Sequence, residues 1–134
     1  MDDRIEEKME RIEEYFSRLD EVRDTAEGIA KEESEENLVR KIVSATIDIA
    51  SRMIALEGGG RPDTYAEYFS ELKNREIIDE ELSNKLKEMA RFRNLVVHQY
   101  HRIEQEQLDK IIENDLDDIQ KFLTQVDKYY NSEK

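Results

Sequence analysis

The spacing of apolar residues is the feature that most restricts the fold of this chain. Apolar side chains recur every three or four positions through most of the 134 residues, which is the period of an α-helix, and no strand-length segment alternates with period two. The strongest break is GGGRPD at 58–63, which holds the only proline and three of the four glycines. The pattern predicts an all-α fold, an up-and-down helical bundle of four long helices and one short helix, in a single domain over residues 1–134.

Helix boundaries follow from caps and breaks. Helix one carries a heptad-like seam from Ile5 to Ile29, with Gly28 as a point where it can end earlier. Ser34 is the predicted N-cap of helix two, and Thr64 with Glu67 has the spacing of a capping box at the start of helix three. The predicted helices cover about 3–31, 34 to the glycine run, 64–73, 79 through a stripe that ends at residue 100, and 105–130.

The charge balance limits the partners of the chain. The net charge is −13, which argues against generic binding to nucleic acid or to anionic membranes. Residues 85–102 differ, because they contain five basic residues against one acid, Glu88. This local excess predicts a site for a small anion or a short piece of polyanion. We assign to an RNA-binding patch the residues Lys85, Lys87, Arg91, His101 and Arg102.

Cysteine usage and the N-terminus indicate the compartment. The chain has no cysteine, which excludes a disulfide framework, a thiol nucleophile and a cysteine-ligated metal. Its first ten residues, MDDRIEEKME, are charged from the second position, and no apolar run approaches the ~20 residues needed to span a bilayer. We therefore expect a cytoplasmic protein that does not associate with membranes.

The stretch RFRNLVVHQYH, residues 91–101, contains both histidines of the chain, His98 and His101. Arg93 is four residues after Met89, so it falls in the apolar stripe of helix four, where a leucine or isoleucine is expected. Arginine binds phosphate oxygens through a planar fork, and histidine exchanges protons near neutral pH. The pair is typical of metal-independent RNA cleavage, with His98 in proton transfer and Arg93 stabilising the developing negative charge.

Two other interpretations of this stretch remain open. Arg93 can instead form a buried ion pair with a neighbouring helix, because a buried arginine is costly unless paired. His98 and His101 are three residues apart and could share an ion, but two histidines without a third ligand form a weak metal site. We predict no metal site and no cofactor.

RNLVVHQY, residues 93–100, has the form R-x4-H-x-Y and resembles the signature of HepT-type toxins in the HEPN superfamily. Asn94, directly after the arginine, and the segment RPDTYAEYFSELKNREIID, residues 61–79, are also similar to that family. The resemblance implies a HEPN-like helical homodimer with the two motifs at the dimer interface. It also implies a metal-independent endoribonuclease that acts as the toxin of a type II toxin–antitoxin system.

The same resemblance implies a partner and a control point. The expected partner is a minimal nucleotidyltransferase antitoxin that transfers AMP to the motif tyrosine, here Tyr100. The expected catalytic residues are Arg93 and His98, with Asn94 in support. Two alternatives carry no catalysis: a HEPN module that only binds nucleotide or nucleic acid, and a structural bundle in which Arg93 is part of a core ion pair.

Overall fold

The computed structural model describes the backbone of residues 1–25, 27–98 and 105–132, and the side chains of these residues except 92–98, 105 and 132. Within that part of the chain the last three helical elements, Gln105–Lys110, the π-helical turn Ile111–Asp115 and Leu116–Ser132, follow one another directly and form one continuous segment. The predicted bundle of four long helices and one short helix is therefore confirmed. The elements are α1 (Asp3–Thr25), α2 (Gly28–Leu56), α3 (Tyr65–Asn74), α4 (Glu80–His98), α5 (Gln105–Lys110), the π-helical turn (Ile111–Asp115) and α6 (Leu116–Ser132).

The helices surround one hydrophobic core. α1 packs against α2, α3 packs against α4, and α6 contacts α4. The rings of Phe69 and Phe122 meet edge to face with centroids 5.9 Å apart, and this contact joins α3 to α6. Both rings are fully buried, and each such side chain stabilises the fold by about 1.5–3 kcal/mol. The predicted inward stripe of α2 is buried at Leu38, Ile42, Ala45, Ile49 and Met53, but its last member, Leu56, is 48 % exposed because it lies at the end of the helix.

The break between the first two helices lies earlier than the seam of helix one predicts. α1 ends at Thr25, and Gly28 begins α2 with φ +71°, a left-handed conformation that glycine adopts without a Cβ clash. Ile29, predicted to face inward, is 66 % exposed. Ser34 lies inside α2, whose N-cap is Glu27. The predictions for Ile29 and Ser34 are wrong because α1 ends before Gly28 and α2 already begins there, six residues before Ser34.

The π-helical turn Ile111–Asp115 interrupts the helix predicted over 105–130. Its cause is visible in the apolar spacing. Ile111 and Leu116 are five residues apart, one more than an α-helical face allows, yet each is 5 % exposed. A π turn holds an additional residue, so both side chains stay on the core side of the helix.

Polar contacts show which helix ends lie together. Asp79 accepts the backbone N–H of Leu82 at 2.7 Å, which caps α4 at the predicted position, and it accepts the side-chain amide of Gln125 at 2.8 Å. Tyr129 donates its hydroxyl to Glu57 at 3.0 Å. The end of α2, the start of α4 and the end of α6 are therefore neighbours. The opposite end of the bundle, called the motif end below, holds the N-terminal half of α2, the C-terminal half of α4 and α5.

The long helices are amphipathic and strongly charged. In α1, for example, buried Ile5, Ile12 and Leu19 alternate with acidic and basic side chains on the outer face. Over the described ranges, no helix combines the length and the apolar character that crossing a membrane requires.

Candidate functional site

Arg93 continues the buried row of α4. The backbone of α4 is described through residue 98, and Leu82, Leu86 and Met89, which are 3 %, 0 % and 3 % exposed, precede Arg93 at helical steps of four, three and four. The expected position of Arg93 in the apolar stripe therefore matches the row defined by its buried neighbours. The side chains of Arg93, Asn94 and His98 lie outside the described residues.

Three predicted residues fall outside the described chain altogether. Tyr100, His101 and Arg102 belong to the segment 99–104 between α4 and α5. Their predicted roles as modification site and RNA-binding residues remain predictions.

Lys87 and Arg91 line a groove between α3 and α4. The groove has a volume of about 340 Å³. Lys87 is half-buried and Arg91 is exposed, and among the described residues neither has an ion-pair partner within 4 Å. These two members of the predicted patch thus lie together and keep their charges available. The other groove residues include Thr64, Ala66, Glu67 and Ser70.

The start of α3 forms one wall of this groove. The hydroxyl of Thr64 accepts the backbone N–H of Glu67 at 3.3 Å, so Thr64 is confirmed as the N-cap of helix three. The second bond of the predicted capping box, from the Thr64 backbone N–H to the Glu67 side chain, is absent among the described residues. The bond to the Thr64 hydroxyl caps the start of α3, which forms the wall of the groove opposite Lys87 and Arg91.

Lys85, the third described member of the predicted patch, points elsewhere. Its ammonium group lies 3.5 Å from Glu81 and 3.7 Å from Asp118 of α6. The carboxylate of Asp118, followed by that of Glu81, raises the pKa of Lys85. Burial, with Asp118 and Glu88 as further causes, raises the pKa of nearby Asp115. Lys85 therefore compensates the carboxylates of Glu81 on α4 and Asp118 on α6, and it does not line the groove that holds Lys87 and Arg91.

Glu35 is a buried carboxylate at the motif end that the sequence analysis missed. It is 1 % exposed, and its Oε2 atom has no hydrogen-bond partner among the described residues. Burial raises the pKa of the Glu35 carboxyl, while Arg23 of α1 and Lys31 of α2 oppose that rise. A signal was present: Glu35 precedes Leu38 and Ile42 by three and seven residues, so it belongs to the inward stripe of α2.

The raised pKa of Glu35 gives a pH-dependent stability. Between the ordinary and the raised pKa the unfolded state has already released the proton that the folded state keeps, so stability falls as pH rises through this window. We expect Glu35→Gln to raise the free energy of unfolding by about 1 kcal/mol at pH 7, because it removes a buried charge with an unpaired oxygen. Near pH 4 the gain should disappear.

Urea unfolding at both pH values measures this effect. Glu32→Gln, at an exposed position of the same helix, is the matched control and should change stability by less than about 0.5 kcal/mol. If Glu35→Gln destabilises the protein more at pH 7 than at pH 4, the carboxylate is stabilising and this interpretation is wrong.

The described residues contain no group of three or more histidine, cysteine, aspartate or glutamate side chains arranged to hold a metal ion. Both histidines lie outside the described side chains, so the prediction that the motif binds no metal is not tested by this observation.

Comparison with known proteins decides the family. A model of the family described as "HepT-like: Ribonuclease HepT-like" matches residues 5–126, which include most of α1, all of α4 and the R-x4-H-x-Y motif. This chain belongs to the HepT-like family. The resemblance found in the sequence is thereby confirmed.

Two curated relatives of this HepT-like chain have nuclease names. The mRNA nuclease HepT of Shewanella oneidensis is 27 % identical over 85 residues, which are 63 % of this chain and 64 % of that protein. A putative RNase of Archaeoglobus fulgidus is 40 % identical over 70 residues, 52 % of each chain. The matched segments thus span less than two thirds of the relatives' own lengths.

Solved structures share the fold of this HepT-like chain. A toxin–antitoxin crystal structure with AMP-PNP has a TM-score of 0.84 at 22 % identity and covers 95 % of this chain and 99 % of its own. The tri-AMPylated HEPN toxin of Shewanella oneidensis, in complex with its MNT antitoxin, also has a TM-score of 0.84, at 23 % identity, covering 96 % and 99 %. At these identities the likeness establishes the fold, and the predicted HEPN-like architecture is confirmed.

Proposed function

We propose that this protein is an endoribonuclease and the toxin of a toxin–antitoxin pair, active in the cytoplasm. The observation that carries the proposal is the family match over residues 5–126, which includes an intact R-x4-H-x-Y motif at 93–100. The names of the two curated relatives, an mRNA nuclease and a putative RNase, support the same activity.

The proposed reaction uses the 2′-hydroxyl of RNA as the nucleophile. The 2′-oxygen attacks the adjacent phosphorus, the bond from phosphorus to the 5′-oxygen of the next nucleotide breaks, and a 2′,3′-cyclic phosphate forms. His98 takes the proton of the 2′-hydroxyl, and a second histidine returns a proton to the leaving 5′-oxygen. Arg93 binds the phosphate oxygens as their negative charge grows, and Asn94 supports it by hydrogen bonding.

The proposed active species is a homodimer. One chain supplies one motif histidine, whereas the reaction needs a proton acceptor and a proton donor. A two-fold axis beside α4 brings His98 of the partner subunit to the same phosphate and doubles the local positive charge. The reaction then needs neither a metal nor a cofactor.

The proposed antitoxin is a minimal nucleotidyltransferase that transfers AMP from ATP to the hydroxyl of Tyr100 and releases pyrophosphate. Support comes from the structural neighbours, one of which is an AMPylated HEPN toxin bound to an MNT antitoxin. An added phosphate beside Arg93 would occupy its guanidinium and repel incoming RNA.

Incubation of the purified protein with total RNA, with and without EDTA, tests the activity. We expect cleavage that EDTA leaves unchanged, and light scattering of the same sample at micromolar concentration should give about twice the 16.0 kDa chain mass. Cleavage that EDTA stops would contradict the mechanism. Nucleotide binding without any cleavage would favour the alternative of a HEPN module that only binds.

A further inference from the structure

Four polar positions form one row along α4. Lys87, Arg91, Asn94 and His98 are separated by steps of four, three and four residues. On an α-helix these steps keep the four positions within an arc of about 60°. Arg91 is then about 6 Å along the axis from Lys87, and His98 about 10 Å beyond Arg91. The row therefore connects the groove between α3 and α4 with the motif end of the bundle.

At the end of the row that lies in the groove, two side chains are positively charged. Lys87 and Arg91 both line the groove, and among the described residues neither is paired with an acid within 4 Å. Glu67 is the single acid among the described residues that line the groove, so the two cations leave a local excess of positive charge on a chain whose net charge is −13. Such a local excess attracts an anion that the remaining surface repels.

The composition of the groove favours RNA over a protein segment. Among the described residues, its apolar lining consists of Ala66 and Ala90, which offer none of the large aromatic or aliphatic pockets that anchor protein partners. Ser70, by contrast, lines the same groove as the two cations, and hydroxyl and basic side chains are the groups that bind phosphate and ribose.

We propose that the row Lys87–Arg91–Asn94–His98 is the track along which single-stranded RNA reaches the cleavage site, with Lys87 and Arg91 holding backbone phosphates of nucleotides next to the scissile bond. The inference rests on the proposed function, because His98 marks the point of cleavage. It also separates Lys85 from the other members of the basic patch expected from the sequence, because Lys85 lies off the row and is paired with Glu81 and Asp118.

Binding to a 2′-O-methyl RNA oligonucleotide tests the row without turnover, because that oligonucleotide has no free 2′-hydroxyl. We expect Lys87→Ala and Arg91→Ala each to weaken binding about 3- to 10-fold at low salt. Each should also reduce the slope of log K against log salt by about 0.7, the value for one phosphate contact on a single strand. Lys87→Gln provides a second variant if the alanine protein does not fold.

Two control variants remove the same charge elsewhere. Lys121→Ala, on the exposed face of α6, should bind the oligonucleotide as the wild-type protein does. Lys85→Ala should weaken binding less than Lys87→Ala, because Lys85 already neutralises two carboxylates. If Lys85→Ala and Lys87→Ala weaken RNA binding equally, the RNA is attracted by positive charge in general, and the proposal that it follows the row is wrong.

Cleavage assays on the same proteins separate this inference from the proposed function. With an unmodified RNA, the Lys87 and Arg91 variants should show a raised KM and a nearly unchanged kcat. If the wild-type protein cleaves no RNA, the proposed function fails, while the oligonucleotide still decides whether the row binds RNA. If the variants bind RNA normally but escape inhibition by the antitoxin, the row is a protein-docking surface and the RNA track is wrong.

Discussion

Arg93→Ala and His98→Ala are each expected to reduce RNA cleavage by at least about 100-fold. The arginine loss removes the group that binds the developing charge on the phosphate. The histidine loss removes the proton acceptor and, in a symmetric dimer, the proton donor as well. Cleavage of a labelled single-stranded RNA at saturating concentration measures the effect. An active His98→Ala protein would refute the mechanism.

Arg93 needs a second variant because it continues a buried row on α4. Arg93→Lys keeps the positive charge but replaces the planar fork by a single ammonium group, so it should fold and still lose most activity. Far-UV circular dichroism on each variant establishes that the helices remain. If Arg93→Ala unfolds the protein and Arg93→Lys is fully active, Arg93 belongs to a structural ion pair, the alternative that the sequence left open.

The wild-type rate should also depend on pH. The side chain of His98 is proposed to alternate between its neutral and charged forms, so the rate should change between about pH 5 and pH 8. Glu35→Gln should show the same dependence of the cleavage rate on pH as the wild-type protein, because the Glu35 carboxylate is expected to affect only the stability of the fold.

Tyr100→Phe is expected to abolish control by the antitoxin. Phenylalanine lacks the hydroxyl that would accept AMP, so the variant should cleave RNA normally and stay active after incubation with the nucleotidyltransferase and ATP. Peptide mass spectrometry of the wild-type protein should locate AMP on Tyr100. AMP on other tyrosines with Tyr100 unmodified, or a Tyr100→Phe protein that the antitoxin still silences by modification, would contradict the proposal.

Tyr129→Phe is the matched control for this experiment. The Tyr129 hydroxyl donates a hydrogen bond to Glu57 at the end of the bundle opposite the motif. Its loss should leave both cleavage and AMPylation unchanged, since the hydroxyl lies on the other side of the fold from the proposed site.

The fold was predictable because apolar periodicity and caps act locally. The stripe from Leu38 to Met53 and the capping of α3 by Thr64 depend on residues within one or two turns, and the structure has both. The break at Gly28 was less predictable, because a glycine inside a continuous seam is compatible with a long helix and with two helices. Packing against the rest of the bundle selects between them.

The candidate site was predictable only in part. The order of Arg93, His98 and Tyr100 is a local motif, and the family match includes it. The pairing of Lys85 with Asp118 depends on how α6 lies against α4, a contact between residues 33 positions apart. Glu35 was missed although its spacing from Leu38 and Ile42 places it in the inward stripe of α2, because a carboxylate in the acidic first part of a helix is expected in solvent.

The π-helical turn Ile111–Asp115 separates the last long helix into two segments of different rotational phase. α5 contacts α2 at the motif end, whereas the end of α6 holds Asp79 and Glu57 at the other. Without the additional residue, every side chain beyond the turn would rotate by about 100° relative to α5. Only one of the two ends of this helical segment could then keep its contacts with the other helices. The bundle therefore tolerates substitutions within these five residues more readily than the deletion of any one of them.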